Sequence, residues 1–456
     1  MNKAKIHFLG AAGTVTGSKY LIETPEATIM VDCGVFQGLK ELRLQNWEPF
    51  PFEASSIDYV LLTHGHLDHV GYLPRLVSQG FHGKILATAP TLEVAETILR
   101  DSAKIHEEEA EKANTEGYSK HHPALPFFDT DQVLKTLDYF QSVAREMEIP
   151  LSKNNSCTFR YNGHIIGSTF LELQLFNKLF VFSGDVGRQD DVLLFPPERP
   201  QWADYLFLES TYGNKNHPVE SVEDTLSSLI KETIQQRGVL IIPSFAVERL
   251  QVLMYVLWKL YQKNRIPNIP IFVDSPMGQN VTQIFERYPD WHKLNLSEIK
   301  AIQNRMEIIQ SYRETWETID DPRPKVVIAG SGMITGGRVL TYVKQLAKLP
   351  STTILLVGFQ SEGTRGRKLL EGASTLKMFG KSVPVKAKVH HLDSLSAHAD
   401  QEDLMHWISD IKNIPETVFL IHGEEEARKA LRQKIQEKNG WNVQLPILFQ
   451  TNEILV

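Results

Sequence analysis

The run Thr63-His64-Gly65-His66-Leu67-Asp68-His69 gathers three imidazoles and a carboxylate on one short segment. Neutral imidazole nitrogens and carboxylate oxygens are the donors that Zn²⁺, Mn²⁺ and Fe²⁺ take. On a loop the alternate residues 64, 66 and 68 face one way, with His69 turned beside them at a helix start. One segment can therefore serve two metals. The zinc-hydrolase pattern HExxH is absent, because His106-Glu107 would need a second His where Ala110 stands.

These donors cannot close two metal sites alone, so further ligands must come from later strand ends. His164 sits between glycines in Asn162-Gly163-His164-Ile165-Ile166-Gly167-Ser168. Asp185, in Ser183-Gly184-Asp185-Val186-Gly187, ends an apolar run and is a candidate bridging carboxylate; His422 ends another before Gly423. Strand ends and turns are where ligand sites of α/β folds collect.

Two features suit an anionic ligand. The turn Gly330-Ser331-Gly332-Met333-Ile334-Thr335-Gly336-Gly337-Arg338 follows an apolar run and precedes a helix, so its amides are candidates to cradle a phosphate. It is not a P-loop, which would need Lys-Ser/Thr where Arg338-Val339 stands. From Gly363 to His390, Arg365, Arg367, Lys368, Lys377, Lys381, Lys386 and Lys388 face a single acid, Glu371. That stretch suits the backbone of a single strand.

The elements that must position these residues read as strands at Lys5–Leu9, Lys19–Glu23, Thr28–Val31 and Ile57–Thr63, with helices at Val70–Gln79 and Thr91–Lys112. A loop is expected over Asn114–Pro126 and a helix over Asp131–Glu148. Strands return at Thr158–Tyr161, Thr169–Leu175, Lys178–Ser183 and Ala203–Glu209. From about Thr211 strands and helices alternate, the rhythm of a mostly parallel sheet covered on both faces.

At 456 residues the chain should hold two or three compact units. A hydrophobic share of 42% excludes disorder, and a net charge of -7 excludes a generally basic nucleic-acid binder. Positive charge for an anion must then be local or supplied by metal. Cys33 and Cys157 are the only cysteines, so a disulfide framework is out. With no secretory leader or membrane span in view, a cytoplasmic protein without membrane attachment is expected.

VDCG around Asp32, HGHLDH, GHIIGS, SGDVG and LIHGE together resemble the motifs of the metallo-β-lactamase fold. LFLESTYG, LSAHAD and LIHGE are further similar to motifs A, B and C of its β-CASP group of nucleic-acid-processing enzymes. IIPSFAVERLQ, IFVDSPMG, GSGMITGGRV and GFQSEGTRGRKLL look like stretches of single-chain prokaryotic members, and the resemblance spans nearly the whole chain.

The resemblance implies an α/β protein: a metallo-β-lactamase αββα sandwich from residues 1–209 and 394–456, with a parallel-sheet β-CASP domain inserted at 210–393. It implies one Zn²⁺ on His64, His66 and His164, a second on Asp68, His69 and His422, and Asp185 shared; Mn²⁺ is a possible substitute. Asp32 would orient the His-bearing loop from behind. Two metals would activate a bridging water against a phosphodiester, His398 would serve as general acid or phosphate binder, and Glu209 would hold it protonated. Motif C carries His422 rather than the Val of DNA-directed members, which favours RNA. The expected activity is a zinc-dependent ribonuclease, endo- or 5′-exonucleolytic. Single-stranded RNA would be held by Ser331, Gly332, Gly336, Gly337, Arg338, Arg249, Arg365, Arg367 and Lys368. A homodimer is one arrangement open to it. The alternatives are a DNA nuclease, another metallo-hydrolase, or a non-catalytic RNA-binding subunit.

Overall fold

Alternate residues of the strand Asn155–Tyr161 bury Cys157, Phe159 and Tyr161, the period of a strand with one face on a core. In the computed structural model, which describes residues 2–117 and 119–456, this strand belongs to a seven-stranded sheet. The order is Val443–Gln444, Thr417–Ile421, Tyr205–Glu209, Lys178–Phe182, Thr169–Leu175, Asn155–Tyr161, Ile149–Pro150. The first four strands are parallel, and the remaining pairings are antiparallel.

A second seven-stranded sheet runs Thr451–Leu455, Lys3–Phe8, Lys19–Glu23, Thr28–Cys33, Tyr59–Leu61, Lys84–Thr88, Phe140–Val143. Here the first four strands are antiparallel and the later pairings parallel. The two sheets bury one core between them, with Phe8, Tyr20, Ile22 and Val31 against Phe159, Leu171, Phe182, Phe207 and Phe419. Phe182 stacks on Phe207 with ring centroids 4.0 Å apart. Such a pair contributes about 0.5–1.5 kcal/mol beyond the area it buries.

Helices cover the outer faces. Gln401–Trp407 and Glu425–Asn439 set Leu404, Trp407, Leu431 and Ile435 on Val181, Leu206, Leu208 and Leu420. Ala89–Glu116 buries Leu92, Ala95 and Leu99 at helical spacing beside Lys84–Thr88 and Phe140–Val143. These elements form one compact unit that runs to Asn216 and resumes from His398 to Val456. In it, three parallel strands of one sheet end just before Asp185, at Glu209 and just before His422.

The helix expected over Val70–Gln79 is two helices, Leu67–Val70 and Leu73–Ser78. Pro74, lacking an N–H, opens the second rather than continuing the first. The helix expected over Asp131–Glu148 stops at Leu137, and Phe140–Val143 is an edge strand parallel to Lys84–Thr88.

The other unit, His217–Ala397, is built on a wholly parallel six-stranded sheet. Its order is Glu307–Ile308, Ile271–Asp274, Lys325–Ala329, Val239–Pro243, Thr352–Val357, Lys388–Leu392. Ile241, Val327, Ile354 and Leu356 meet Val339, Tyr342 and Leu346 in its core. A hairpin, Thr375–Met378 with Lys381–Pro384, is added to it. Among the described residues no helix is long and apolar enough to cross a membrane.

Candidate metal centre

The strand Tyr59–Leu61 delivers Thr63 and His64 to the sheet's end, and the chain then turns into Leu67–Val70 with His66 at the cap position. Asp32, near the end of Thr28–Cys33 with φ 56°, lies behind this loop. Its carboxylate accepts the Thr63 N–H at 2.8 Å and the Thr63 hydroxyl at 2.9 Å, and lies 2.7 Å from His69 Nδ1. Nε2 of His69 is thereby left to face the cluster. Gly34 allows the close approach, since a Cβ there would stand 1.6 Å from the Asp68 carbonyl oxygen.

His164 is fixed by Ser168, whose hydroxyl accepts the His164 N–H at 2.9 Å. Asp185 is held through its backbone, because Asn162 Nδ2 donates to the carbonyls of Ser183 and Asp185, both at 2.6 Å. His422 takes φ 47° and donates its N–H to Ala11 O at 2.7 Å.

These elements bring His64, His66, His164 and Asp185 together, and beside them Asp68, His69 and His422, the donor atoms of each group lying within 4.8 Å of one another. His66 Nδ1 is 3.1 Å from His64 Nε2 and 3.3 Å from His164 Nε2. Asp185 Oδ2 is 3.5 Å from His64 Nε2 and 3.6 Å from His164 Nε2. Nitrogens tetrahedral about Zn²⁺ at about 2.0–2.1 Å are about 3.3 Å apart, so this donor set fits such an ion. The second Asp185 oxygen, Oδ1, is buried with no hydrogen-bond partner. It lies 3.4 Å from His69 Nε2 and 3.5 Å from His422 Nδ1, and His422 Nε2 is 3.5 Å from Asp68 Oδ2.

Electrostatics agree with a place for cations. Burial pushes His64 well below the ordinary imidazole range and His66 down to about 4, keeping both neutral as ligation requires. Burial also pulls on His69, but Asp185 and Asp32 outweigh it and hold that imidazole well above its ordinary value. The proton they attract there marks negative charge that a cation would neutralise.

Glu209 is fully buried, accepting the Val186 N–H at 2.8 Å and the Thr211 N–H at 3.1 Å. Its Oε1 lies 3.2 Å from His398 Nδ1, and His398 Nε2 lies 4.0 Å from Asp185 Oδ2. Burial lowers His398, yet the charge and hydrogen bond of Glu209 more than offset it, so the imidazole titrates above its usual value.

Three contributors were not singled out from sequence. The Thr63 hydroxyl lies between Asp32 and His64 Nδ1, the latter at 3.0 Å; Ser18 Oγ is 3.4 Å from His69 Nε2; and Thr211 Oγ1 is 3.2 Å from His422 Nδ1. Thr63 adjoins the histidine run and was legible there, whereas Ser18 and Thr211 carry no spacing signal.

The anion-binding candidates lie in the other unit and are largely occupied by its own atoms. Ser331 Oγ accepts the N–H groups of Thr335 at 3.0 Å and Gly336 at 3.2 Å, and the Ser331 N–H donates to Gly336 O. Those three amides do not point outward. Gly332 lies against Phe245, and Gly337 takes φ 71° beside Gly330. Arg338 donates to Thr315 Oγ1 at 2.6 Å and lies 3.6 Å from Asp274. Arg365 donates to the carbonyls of Lys377, Ile334 and Thr335, while Arg367 pairs with Glu371 at 2.9 Å. Arg249 is buried and Lys368 is exposed.

Family models match over three stretches: the metallo-beta-lactamase superfamily at residues 12–138, the Beta-Casp domain at 250–369 and the Zn-dependent metallo-hydrolase RNA specificity domain at 382–446. The chain is 34% identical to Ribonuclease TTHA0252 of Thermus thermophilus, over 92% of this chain and 94% of that protein. It is 30% identical to Transcription termination factor FttA of Methanosarcina mazei, over 95% of this chain and 69% of that one. A crystal structure of a protein of unknown function from Enterococcus faecalis shares the fold at a TM-score of 0.53 and 13% identity, covering 99% of this chain and 100% of that one. With its three matched domains, a ribonuclease relative 34% identical over nearly the whole of both chains and its clustered metal donors, the chain belongs to the β-CASP group of metallo-β-lactamase-fold, metal-dependent RNA-processing nucleases.

Proposed function

We propose that this chain is a zinc-dependent ribonuclease that hydrolyses phosphodiester bonds of single-stranded RNA in the cytoplasm, with His398 as its proton donor. The observation that carries the reading is the position of Asp185: one carboxylate oxygen faces His64 and His164, the other faces His69 and His422, and His398 lies 4.0 Å away. His64, His66 and His164 would hold one ion and Asp68, His69 and His422 the other, with Asp185 shared. When bound, such a pair supplies Lewis-acid polarisation of a phosphoryl oxygen and a lowered pKa for attacking water. The same N/O donors also suit manganese as a substitute.

The chain's own residues do the rest. Glu209 holds His398 through Nδ1, so that Nε2 presents a proton toward the cluster, where a leaving ribose oxygen would take it. Asp32 keeps His69 in the orientation that exposes Nε2. RNA rather than DNA is favoured by His422, by the RNA specificity domain and by the names of the relatives, a ribonuclease and a transcription termination factor.

The test uses end-labelled single-stranded RNA and DNA with zinc or manganese. Wild type should cut RNA, and its products distinguish internal cuts from stepwise release at the 5′ end. Asp185→Ala should abolish cleavage, and His398→Ala should slow it by about 10²–10⁴-fold. A wild type that cuts neither polymer, or an Asp185→Ala variant with full activity, would sink the reading.

A further inference from the structure

The hairpin Thr375–Met378 and Lys381–Pro384 turns through Phe379 and Gly380. Both have positive φ, 47° and 73°, the signature of a tight two-residue loop whose first position ordinarily takes Asn, Asp or Gly. A bulky Phe there is strained, and burial does not compensate it: Phe379 is 49% exposed, while Leu376, Met378 and Val383 sit in the core. A Cβ built on Gly380 would meet nothing within 4 Å, so the space beside the second turn residue is open.

The mount is stiff and its surroundings are cationic. Arg365 Nε donates to Lys377 O at 2.8 Å while its Nη1 donates to Ile334 O at 3.1 Å and Thr335 O at 3.2 Å. Lys344 Nζ lies 5.0 Å from the Phe379 ring centroid. Lys381 pairs with Met378 and Lys377 with Ser382 across the hairpin, and both lysines are exposed.

We propose that this tip is a base-stacking platform: Phe379 receives a base of single-stranded RNA, and Lys344, Lys377 and Lys381 meet the neighbouring phosphates. An outward aromatic ring with ammonium groups beside it has the two parts that sequence-independent single-strand binding uses. A protein-docking aromatic would want apolar neighbours, but the other exposed hairpin residues are Thr375, Lys377, Lys381, Ser382 and Pro384. The stacking role accounts for a residue poorly suited to the turn being kept there at the cost of strain.

The platform rests on the reading of the chain as a ribonuclease of single strands, and the experiment separates the two. Full-length wild type, Phe379→Asn and Phe379→Trp are compared for affinity to an oligouridylate of about 20 nucleotides and to a duplex of equal length. Hydrolysis of bis(p-nitrophenyl) phosphate, thermal melting and solution mass are measured in parallel. Phe379→Asn should weaken single-strand binding about tenfold and leave duplex binding and the small-ester rate unchanged. It should melt no lower than wild type, because Asn suits the turn. Phe379→Trp should keep affinity, with its fluorescence quenched by RNA. Lys377→Ala with Lys381→Ala should flatten the salt dependence by a slope of about 1.4. Unchanged single-strand affinity in Phe379→Asn, or an equal loss on duplex, overturns the platform while leaving ribonuclease activity standing. A changed solution mass with intact RNA affinity overturns it in favour of a contact with a second copy. A wild type that neither binds nor cuts RNA overturns both.

Discussion

Asp185 faces two groups of histidines, and its Oδ1, buried and without a hydrogen-bond partner, is left open to the second of them. Asp32 has the opposite design, with every contact directed at the loop it supports. Asp32→Ala should therefore weaken metal affinity by about 10–100-fold while leaving the fold intact. Competition against a zinc-buffering chelator measures this, and activity restored by excess zinc separates it from loss of a reacting group. An Asp32→Ala variant with wild-type zinc affinity would remove the supporting role. Residues 64 to 69 were legible because the donors are contiguous, and His164, Asp185 and His422 because each adjoins glycine at a strand end. Hydroxyls such as Ser18 were not legible, since Ser is common in turns and its proximity to His69 exists only after the chain has folded.

Helix ends carry information that the apolar pattern lacks. Asp129 and Gln132 close a capping box at the start of Thr130–Leu137, while the short strand that follows it shows no readable period. The expected helix therefore ran too far. Asn295 with Glu298 and Ser311 with Glu314 close similar boxes on Leu296–Arg305 and Tyr312–Asp320, helices whose start signals stand in the sequence. The first turn of Gln401–Trp407 holds a cost instead. Burial, reinforced by Asp400, pushes Asp403 up to about 6. Its folded pKa lies above the ordinary carboxylate value, so the native state binds the extra proton and stability from this group falls as pH rises from about 4 to 6. Asp403→Asn should then melt higher than wild type at pH 7, with the difference shrinking toward pH 4. Equal melting gaps at both pH values would refute the assignment.

For the whole molecule, every group of clustered donors found among the described residues lies in the unit closed by the two seven-stranded sheets. Metal that binds only the folded form stabilises it by about 4 kcal/mol at a thousandfold excess over Kd. Chelation should then lower the melting of that unit by about 8–16 °C, whereas His217–Ala397 should keep its transition. Calorimetry with and without chelator resolves the two, and equal shifts in both would contradict the localisation. The parallel sheet of His217–Ala397 was legible as a strand-helix rhythm. The partners of each strand were not, because Tyr205–Glu209 pairs with Thr417–Ile421 and no local pattern encodes so distant a neighbour.

That distant pairing fixes an order of events during synthesis. The Ser210 hydroxyl donates to Ile421 O, 211 residues further along, and His398 and His422 both follow the entire unit His217–Ala397. A chain still emerging from the ribosome carries the Thr63–His69 loop early but lacks the residues that flank Asp185 from the other side. The proposed hydrolytic centre is thus assembled last, and a product broken off within His217–Ala397 is left without it.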